Sequence, residues 1–202
     1  MPEAAGGRPE RVGVLGGTFD PIHVGHLVTA VNVRHALDLD RVLLVVANDP
    51  WQKSDAVVAP AADRLAMVEA AVVDVDGLEA SAIELERGGP SYTADTLATL
   101  RRRDPEVQLH LILGSDAARG LDTWERVDEV RDLSTLVVVT RPGAEADTPP
   151  PGWTWTHVEV PRLEVSSTDL RARVADGRPL SWLLTEPVVR VIRERGLYDP
   201  PR

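Results

Sequence analysis

Short, wholly apolar runs alternate along the chain with longer stretches whose apolar positions recur at helical spacing. Val12 to Leu15 is the first run and stops at Gly16-Gly17, which predicts a buried strand followed by a turn. From about Gly25 to Leu37, the positions of Leu27, Ala30, Val31, Val33 and Ala36 mark a helix. Arg41 to Ala47 is continuously apolar after its first residue, as a strand covered on both faces requires. A loop, Asn48 to Ala59, leads to a helix from Pro60 to Val72, with Pro60 suited to the first turn. Leu78 to Leu85 reads as a strand broken off by Gly88-Gly89-Pro90, and Thr93 to Arg103 as a helix. Val107 to Leu113 is a third buried strand, ending in Gly114; Glu125 to Asp132 is a short helix, and Leu136 to Thr140 a fourth buried strand. Arg141 to Gly152, with Pro142, Gly143 and Pro149-Pro150-Pro151, reads as a loop too short to separate two bodies. Thr154 to Val160 alternates as an outer strand would. Helices follow at Thr168 to Asp176, Leu180 to Leu184 and Pro187 to Arg195, the last stopped by Gly196.

Strands alternating with helices predict an α/β fold: a doubly wound, mostly parallel sheet with helices on both faces and a helical C-terminal part at about 166–198. Residues 1–10 read as a flexible N-terminal arm and 11–202 as a single domain. In such sheets ligands bind beyond the carboxyl ends of the strands, which directs attention to the residues after Leu15, after Leu113 and after Val160.

Composition narrows the chemistry. With 202 residues, 43% apolar and 27% charged, the chain can bury a sizeable core, and wholesale disorder is excluded. Its 22 basic against 32 acidic residues give a net charge of −10, which argues against a nucleic-acid-coating surface. An anionic small molecule is not excluded, because a basic pocket can sit in an acidic protein. Cysteine is absent, so disulfides, cysteine-ligated metals and cysteine nucleophiles are ruled out. A cytoplasmic location is the natural expectation, although the lack of cysteine permits any compartment. Neither a leader peptide nor a membrane-spanning run is visible in the sequence. Lys53 is the only lysine among the 22 basic residues.

After the first strand stands Gly16-Gly17-Thr18-Phe19-Asp20-Pro21-Ile22-His23-Val24-Gly25-His26. Two glycines let a backbone approach a phosphate, and the following helix start offers unpaired N–H groups and a positive dipole end. His23 and His26, three apart, project toward one side of a first helical turn, where two imidazoles can donate to phosphoryl oxygens. Read blandly, the glycines make a plain turn and the histidines are caps or core residues. The string resembles the phosphate-binding signature of the nucleotidyltransferase superfamily, Gly-x-Phe-x-Pro-x-His-x-Gly-His. That resemblance implies a Rossmann-like fold and transfer of a nucleotidyl group from a nucleoside triphosphate, with Gly16, Gly17, Thr18 and Phe19 at the phosphates. His23 and His26 would hold the triphosphate, with His26 stabilising the transition state.

Val165-Ser166-Ser167-Thr168-Asp169-Leu170-Arg171 places hydroxyls at a helix start and an arginine one turn on. As plain structure this is an N-cap with a capping-box-like Asp169; as chemistry it is a second anion cradle, and both readings use the same backbone groups. It is similar to the superfamily's second motif, which implies that Ser166, Ser167, Thr168 and Arg171 contact ATP. Gly89-Pro90-Ser91-Tyr92-Thr93-Ala94-Asp95-Thr96-Leu97, then Gly114-Ser115-Asp116 with Leu121 and Trp124, resemble bacterial nicotinate mononucleotide adenylyltransferases, as does the ending Leu197-Tyr198. By that resemblance Thr93 and Trp124 define the nicotinate site, Asp116 bonds a ribose hydroxyl, and Lys53 contacts a phosphate, although Pro50-Trp51-Gln52-Lys53 departs from the family's usual Pro-Pro-His-Lys.

The implied partners are ATP and nicotinate mononucleotide, with Mg²⁺ bound mainly through ATP phosphates, no protein metal ligands, no nucleic acid and no membrane. A homo-oligomer is an open expectation. Rival readings are a preference for nicotinamide mononucleotide, a phosphopantetheine adenylyltransferase, a nucleotide sensor without turnover and, last, nucleic-acid binding.

Overall fold

The computed structural model describes residues 8–50, 58–140 and 148–199. Its frame is one sheet of six parallel strands: β1 (Arg11–Gly17), β2 (Arg41–Val46), β3 (Leu78–Ser81), β4 (Gln108–Gly114), β5 (Thr135–Thr140) and β6 (Trp155–Glu159). Among the described residues the helices are α1 (Val24–Ala36), α2 (Ala61–Val72), α3 (Ile83–Arg87), α4 (Thr93–Arg103), α5 (Ser115–Arg119), α6 (Val127–Leu133), α7 (Ser167–Ala175) and α8 (Glu186–Arg195). The expected doubly wound α/β architecture is present, and its sheet is parallel throughout.

The continuous apolar runs conceal a period of two. Val42, Leu44 and Val46 enter one core with Ile112 and Val137, while Leu43 and Val45 enter the other with Val14, Leu111 and Val138. Successive side chains of a strand point to opposite faces, so a strand covered on both sides needs an apolar residue at every position. The first core is closed by α1, α2, α7 and α8 through Val33, Met67, Leu170 and Ile192. The second is closed by α3, α4, α5 and α6 through Ile83, Leu97, Ala118 and Val130.

Strand order runs β3-β2-β1-β4-β5-β6, so the direction of winding reverses between β1 and β4. Strand β1 stays in register with β2 as far as Gly17↔Val46, but its register with β4 ends at Val14↔Leu111. Beyond that pair the two central strands part at their carboxyl ends. This is the switch point at which open α/β sheets take ligands.

Several expectations are corrected. Gly16 and Gly17 are not a turn but the last residues of β1, because β2 continues to pair with them. The strand expected over Leu78 to Leu85 ends at Ser81, where its pairing with β2 stops; beyond that support the helix-favouring Glu84-Leu85-Glu86 turns into α3. No helix forms over Leu180 to Leu184, since Trp182 is left-handed at φ 65° and a Ser181–Leu184 bridge closes the segment as a turn. Helix α6 starts at Val127 rather than Glu125, because Arg126 before it is also left-handed, at φ 51°. Pro60 precedes α2 with ψ 149°, so it caps the helix instead of lying in its first turn. Residues 141–147 of the expected loop, and most of the Asn48 to Ala59 loop, lie outside the described residues. No helix among the described residues is long and apolar enough to cross a membrane.

Candidate active site

Where β1 and β4 part, a cleft of about 240 Å³ opens. Gly16, Gly17 and Thr18 line it on the β1 side, with Thr93 at the start of α4 and Trp124 among its other walls. A Cβ on Gly16 would meet nothing within 4 Å and would only take up cleft space, whereas one on Gly17 would lie 2.7 Å from the Phe19 ring. Four of the expected phosphate and nicotinate contacts thus share one space with Trp124, the expected stacking residue.

The histidines stand at the start of α1. His23 is its N-cap and His26 its third residue, and His26 Nδ1 accepts the backbone N–H of His23 at 3.2 Å. An accepting Nδ1 leaves the ring proton of a neutral His26 on Nε2. The two rings stack with centroids 3.8 Å apart and planes 26° from parallel, and the Phe19 and His26 rings meet edge to face, with centroids 5.0 Å apart and planes at 85°. Phe19 is the only phenylalanine of the chain, almost wholly buried, with φ 52°.

Burial lowers the pKa of His23 to about 4, so it is neutral at pH 7. A second buried histidine, His110 on β4, has both ring nitrogens without a partner; burial first, then the charge of Arg11, lowers its pKa also. The unfolded chain takes up these protons near pH 6.5, while the folded His23 resists until about pH 4. Stability should therefore fall as pH drops across that window. In melting curves from pH 8 to pH 4, His110→Leu is expected to flatten this loss, and an unchanged slope would remove His110 from its cause.

The second string meets the first. Ser166 caps α7, its Oγ accepting from Asp169 N–H at 3.2 Å. Ser167 Oγ donates to the Pro21 carbonyl at 2.9 Å, and Arg171 Nη1 to the Asp20 carbonyl at 2.8 Å. Arg171 Nη2 also reaches Thr168 Oγ1 at 3.4 Å. The N-termini of α1 and α7 are thereby pinned to one loop, so their dipole ends, the stacked imidazoles and a guanidinium gather around the same backbone.

Two expected residues stand apart. The Asp116 side chain is fully exposed on α5, 3.5 Å from Arg119, and its neighbour Ala117 lines the cleft instead. Lys53 lies outside the described residues.

Sequence reasoning missed other groups. Glu84 and Thr96 are buried, joined by a 2.6 Å hydrogen bond from the Thr96 hydroxyl, and both line the cleft. Arg64 is buried against the motif, and Tyr198 donates to Asp20 at 2.7 Å. Burial, and then the Asp20 carboxylate, push the Tyr198 hydroxyl far above its usual range. Arg64 had a signal: it falls on the apolar stripe of α2 with Met67, Val68 and Ala71. A charge at a core position of a helix is worth a question.

A family model described as cytidylyltransferase-like matches residues 14–173. A Saccharopolyspora erythraea protein is 44% identical over 192 residues, covering 95% of this chain and 91% of the relative. One from Streptomyces coelicolor is 46% identical over 187 residues, covering 91% and 98%. Both are named probable nicotinate-nucleotide adenylyltransferase. Among solved structures, a Plasmodium falciparum nicotinic acid mononucleotide adenylyltransferase complexed with NaAD overlays with a TM-score of 0.75 over 94% of this chain and 97% of that one. At 16% identity it speaks for the fold alone. By sequence match over nearly its whole length, the chain belongs to the cytidylyltransferase-like family and, within it, to the nicotinate-nucleotide adenylyltransferases.

Proposed function

We propose that the cleft and the two helix N-termini beside it perform adenylyl transfer from ATP to nicotinate mononucleotide, giving nicotinate adenine dinucleotide and pyrophosphate. The names of the relatives support the reaction; within the molecule, one observation carries it. The loop that positions His23 and His26 is the loop to which Ser167 and Arg171 bind.

The 5′-phosphate of the mononucleotide attacks the α-phosphorus of ATP. A P–O bond forms there as the bond to the β-phosphate oxygen breaks, and pyrophosphate leaves with that electron pair. A phosphate monoester, with a second pKa of about 6, is already a nucleophile at neutral pH, so no side chain need remove a proton. The protein aligns two anions and neutralises the charge that builds on the leaving group. His26 donates from Nε2, Arg171 brings a fixed positive charge, and the N–H groups of the α1 and α7 N-termini add partial ones. Gly16, Gly17, Thr18, Phe19, Ser166, Ser167 and Thr168 are assigned to the triphosphate, together with Lys53. Among the described residues no His, Cys, Asp and Glu side chains group to hold a metal ion, and both Asp20 oxygens already accept N–H or O–H donors. A donor set of this kind suits Mg²⁺ carried on ATP oxygens and water, where the ion offsets triphosphate charge.

On the acceptor side, Trp124 is assigned to stack on the pyridine ring and Asp116 to a ribose hydroxyl. Glu84 and Glu125 line the same cleft and no described lining residue is a cation, so discrimination for an acid over an amide is assigned to neutral N–H and O–H donors. The first turn of α4, opening at Thr93, has N–H groups that no preceding turn can pair. An ATP-dependent reaction supports a cytoplasmic setting.

Pyrophosphate release measured in parallel with nicotinate mononucleotide, nicotinamide mononucleotide and phosphopantetheine tests this. The acid is expected to turn over at least about tenfold faster than the amide, a difference of about 1.4 kcal/mol. Equal rates would remove the selectivity, and no release with any acceptor would favour a sensor.

A further inference from the structure

Asp20 and Arg64 are opposite charges, 3% and 1% exposed, that no step above employs. The Asp20 carboxylate accepts from Val58 N–H at 2.7 Å, Ala59 N–H at 3.1 Å and the Tyr198 hydroxyl at 2.7 Å. Arg64 donates to the carbonyls of Thr18 at 2.7 Å, Ala59 at 3.0 Å and Asn48 at 3.3 Å. The arrangement is reciprocal. A side chain of the motif grips the backbone just before α2, and a side chain of α2 grips the backbone of the motif. Between Thr18 and Asp20 sits Phe19, in a left-handed conformation that a bulky residue keeps only when its surroundings over-determine it. The Phe19 ring braces His26, and Arg171 Nη1 lies 3.7 Å from the Asp20 carboxylate.

We propose that Asp20 and Arg64 are positioning residues, a clasp that sets His26 through Phe19 and Arg171 through the Asp20 carbonyl, in a role that rests on the adenylyl-transfer reading. Core stability alone does not call for such a pair, since buried charges are often replaced by apolar residues at no loss. What this pair does instead is fix backbone: five of its six hydrogen bonds end on main-chain atoms, one at Thr18 of the motif and four at Asn48, Val58 and Ala59 between β2 and α2, and the sixth ends on Tyr198. Misplacing a catalytic group by about 1 Å costs as much as about 100-fold in rate.

The test uses Asp20→Asn, Arg64→Met, Arg64→Lys and Tyr198→Phe in the full chain. The readouts are steady-state pyrophosphate release, ATP affinity by calorimetry and folded fraction by circular dichroism. Asparagine keeps the shape of Asp20 but turns one acceptor into a donor facing donors. D20N and R64M are expected to lower kcat about 10- to 100-fold, with KM for nicotinate mononucleotide moving less than about threefold. R64K should recover part of the loss, and the double variant should be no worse than its poorer single. A lower melting temperature with kcat within about threefold of wild type would reduce the clasp to scaffolding and overturn the inference. Should D20N fail to fold, Tyr198→Phe decides: a kcat loss of about threefold or more at unchanged KM for nicotinate mononucleotide supports the clasp, and an unchanged kcat overturns it. Wild-type protein that releases no pyrophosphate overturns the adenylyl-transfer reading instead. The clasp is then judged by ATP affinity, expected to weaken at least about fivefold in the variants and overturned by equal affinity.

Discussion

His26→Ala is expected to lower kcat by about 100- to 1,000-fold while leaving the protein folded and able to bind ATP. His26 lies at the third position of α1, and its Nδ1 is occupied by the His23 N–H. Its Nε2 is a donor fixed in direction by two rings, Phe19 set at 85° to it and His23 stacked against its face. A donor held in this way needs no reorganisation when charge moves onto the leaving pyrophosphate, which is why its removal weighs on kcat more than on KM. The fold should survive, since His26 is only partly buried and, although it packs against Phe19, is itself no member of either core cluster. Pyrophosphate release with saturating ATP, alongside far-ultraviolet circular dichroism, measures both halves. Near-normal turnover in a folded variant would take the transition-state role away from His26.

Arg171→Met should cost about 100-fold in kcat, and Arg171→Lys should recover roughly a tenfold part of it. The guanidinium is largely buried and oriented by the Asp20 carbonyl at 2.8 Å and Thr168 at 3.4 Å. Methionine keeps most of the volume and removes the charge. Lysine restores the charge but as a single rotating point, without the planar fork that meets two oxygens together. The same rate assay separates the two cases, and equal activity of the methionine and lysine variants would mean that charge at this position does not matter.

Much of the frame was legible in the sequence because it is local. The apolar runs of β1, β2, β4 and β5 could be seen directly, since a strand buried on both faces leaves no polar position to confuse the reading. The glycine–histidine string and the Ser166–Arg171 string were legible for the same reason: each is a contiguous segment whose chemistry depends on a helix start. Their meeting was not. Arg64 finds Thr18 across 46 positions and Tyr198 finds Asp20 across 178, and no periodicity encodes a partner at that distance. Edges of elements failed where tertiary geometry overrode propensity, as at Ser81, where the neighbouring strand stops pairing, and at Trp182, whose left-handed backbone denies the helix its composition suggests.

The bonds that tie Pro21 to Ser167, Asp20 to Arg171 and Asp20 to Tyr198 span 146, 151 and 178 positions. A ribosome delivers chain from the N-terminus at about 5–20 residues per second, so the histidine segment emerges long before the groups that hold it. Until Tyr198 arrives, a buried Asp20 would lack one of its donors, and until α7 is made the segment has no second helix end to face. A chain that ended before α7 would lack the Ser167, Arg171 and Tyr198 bonds to this segment. The groups that complete the site's support are thus among the last to be made.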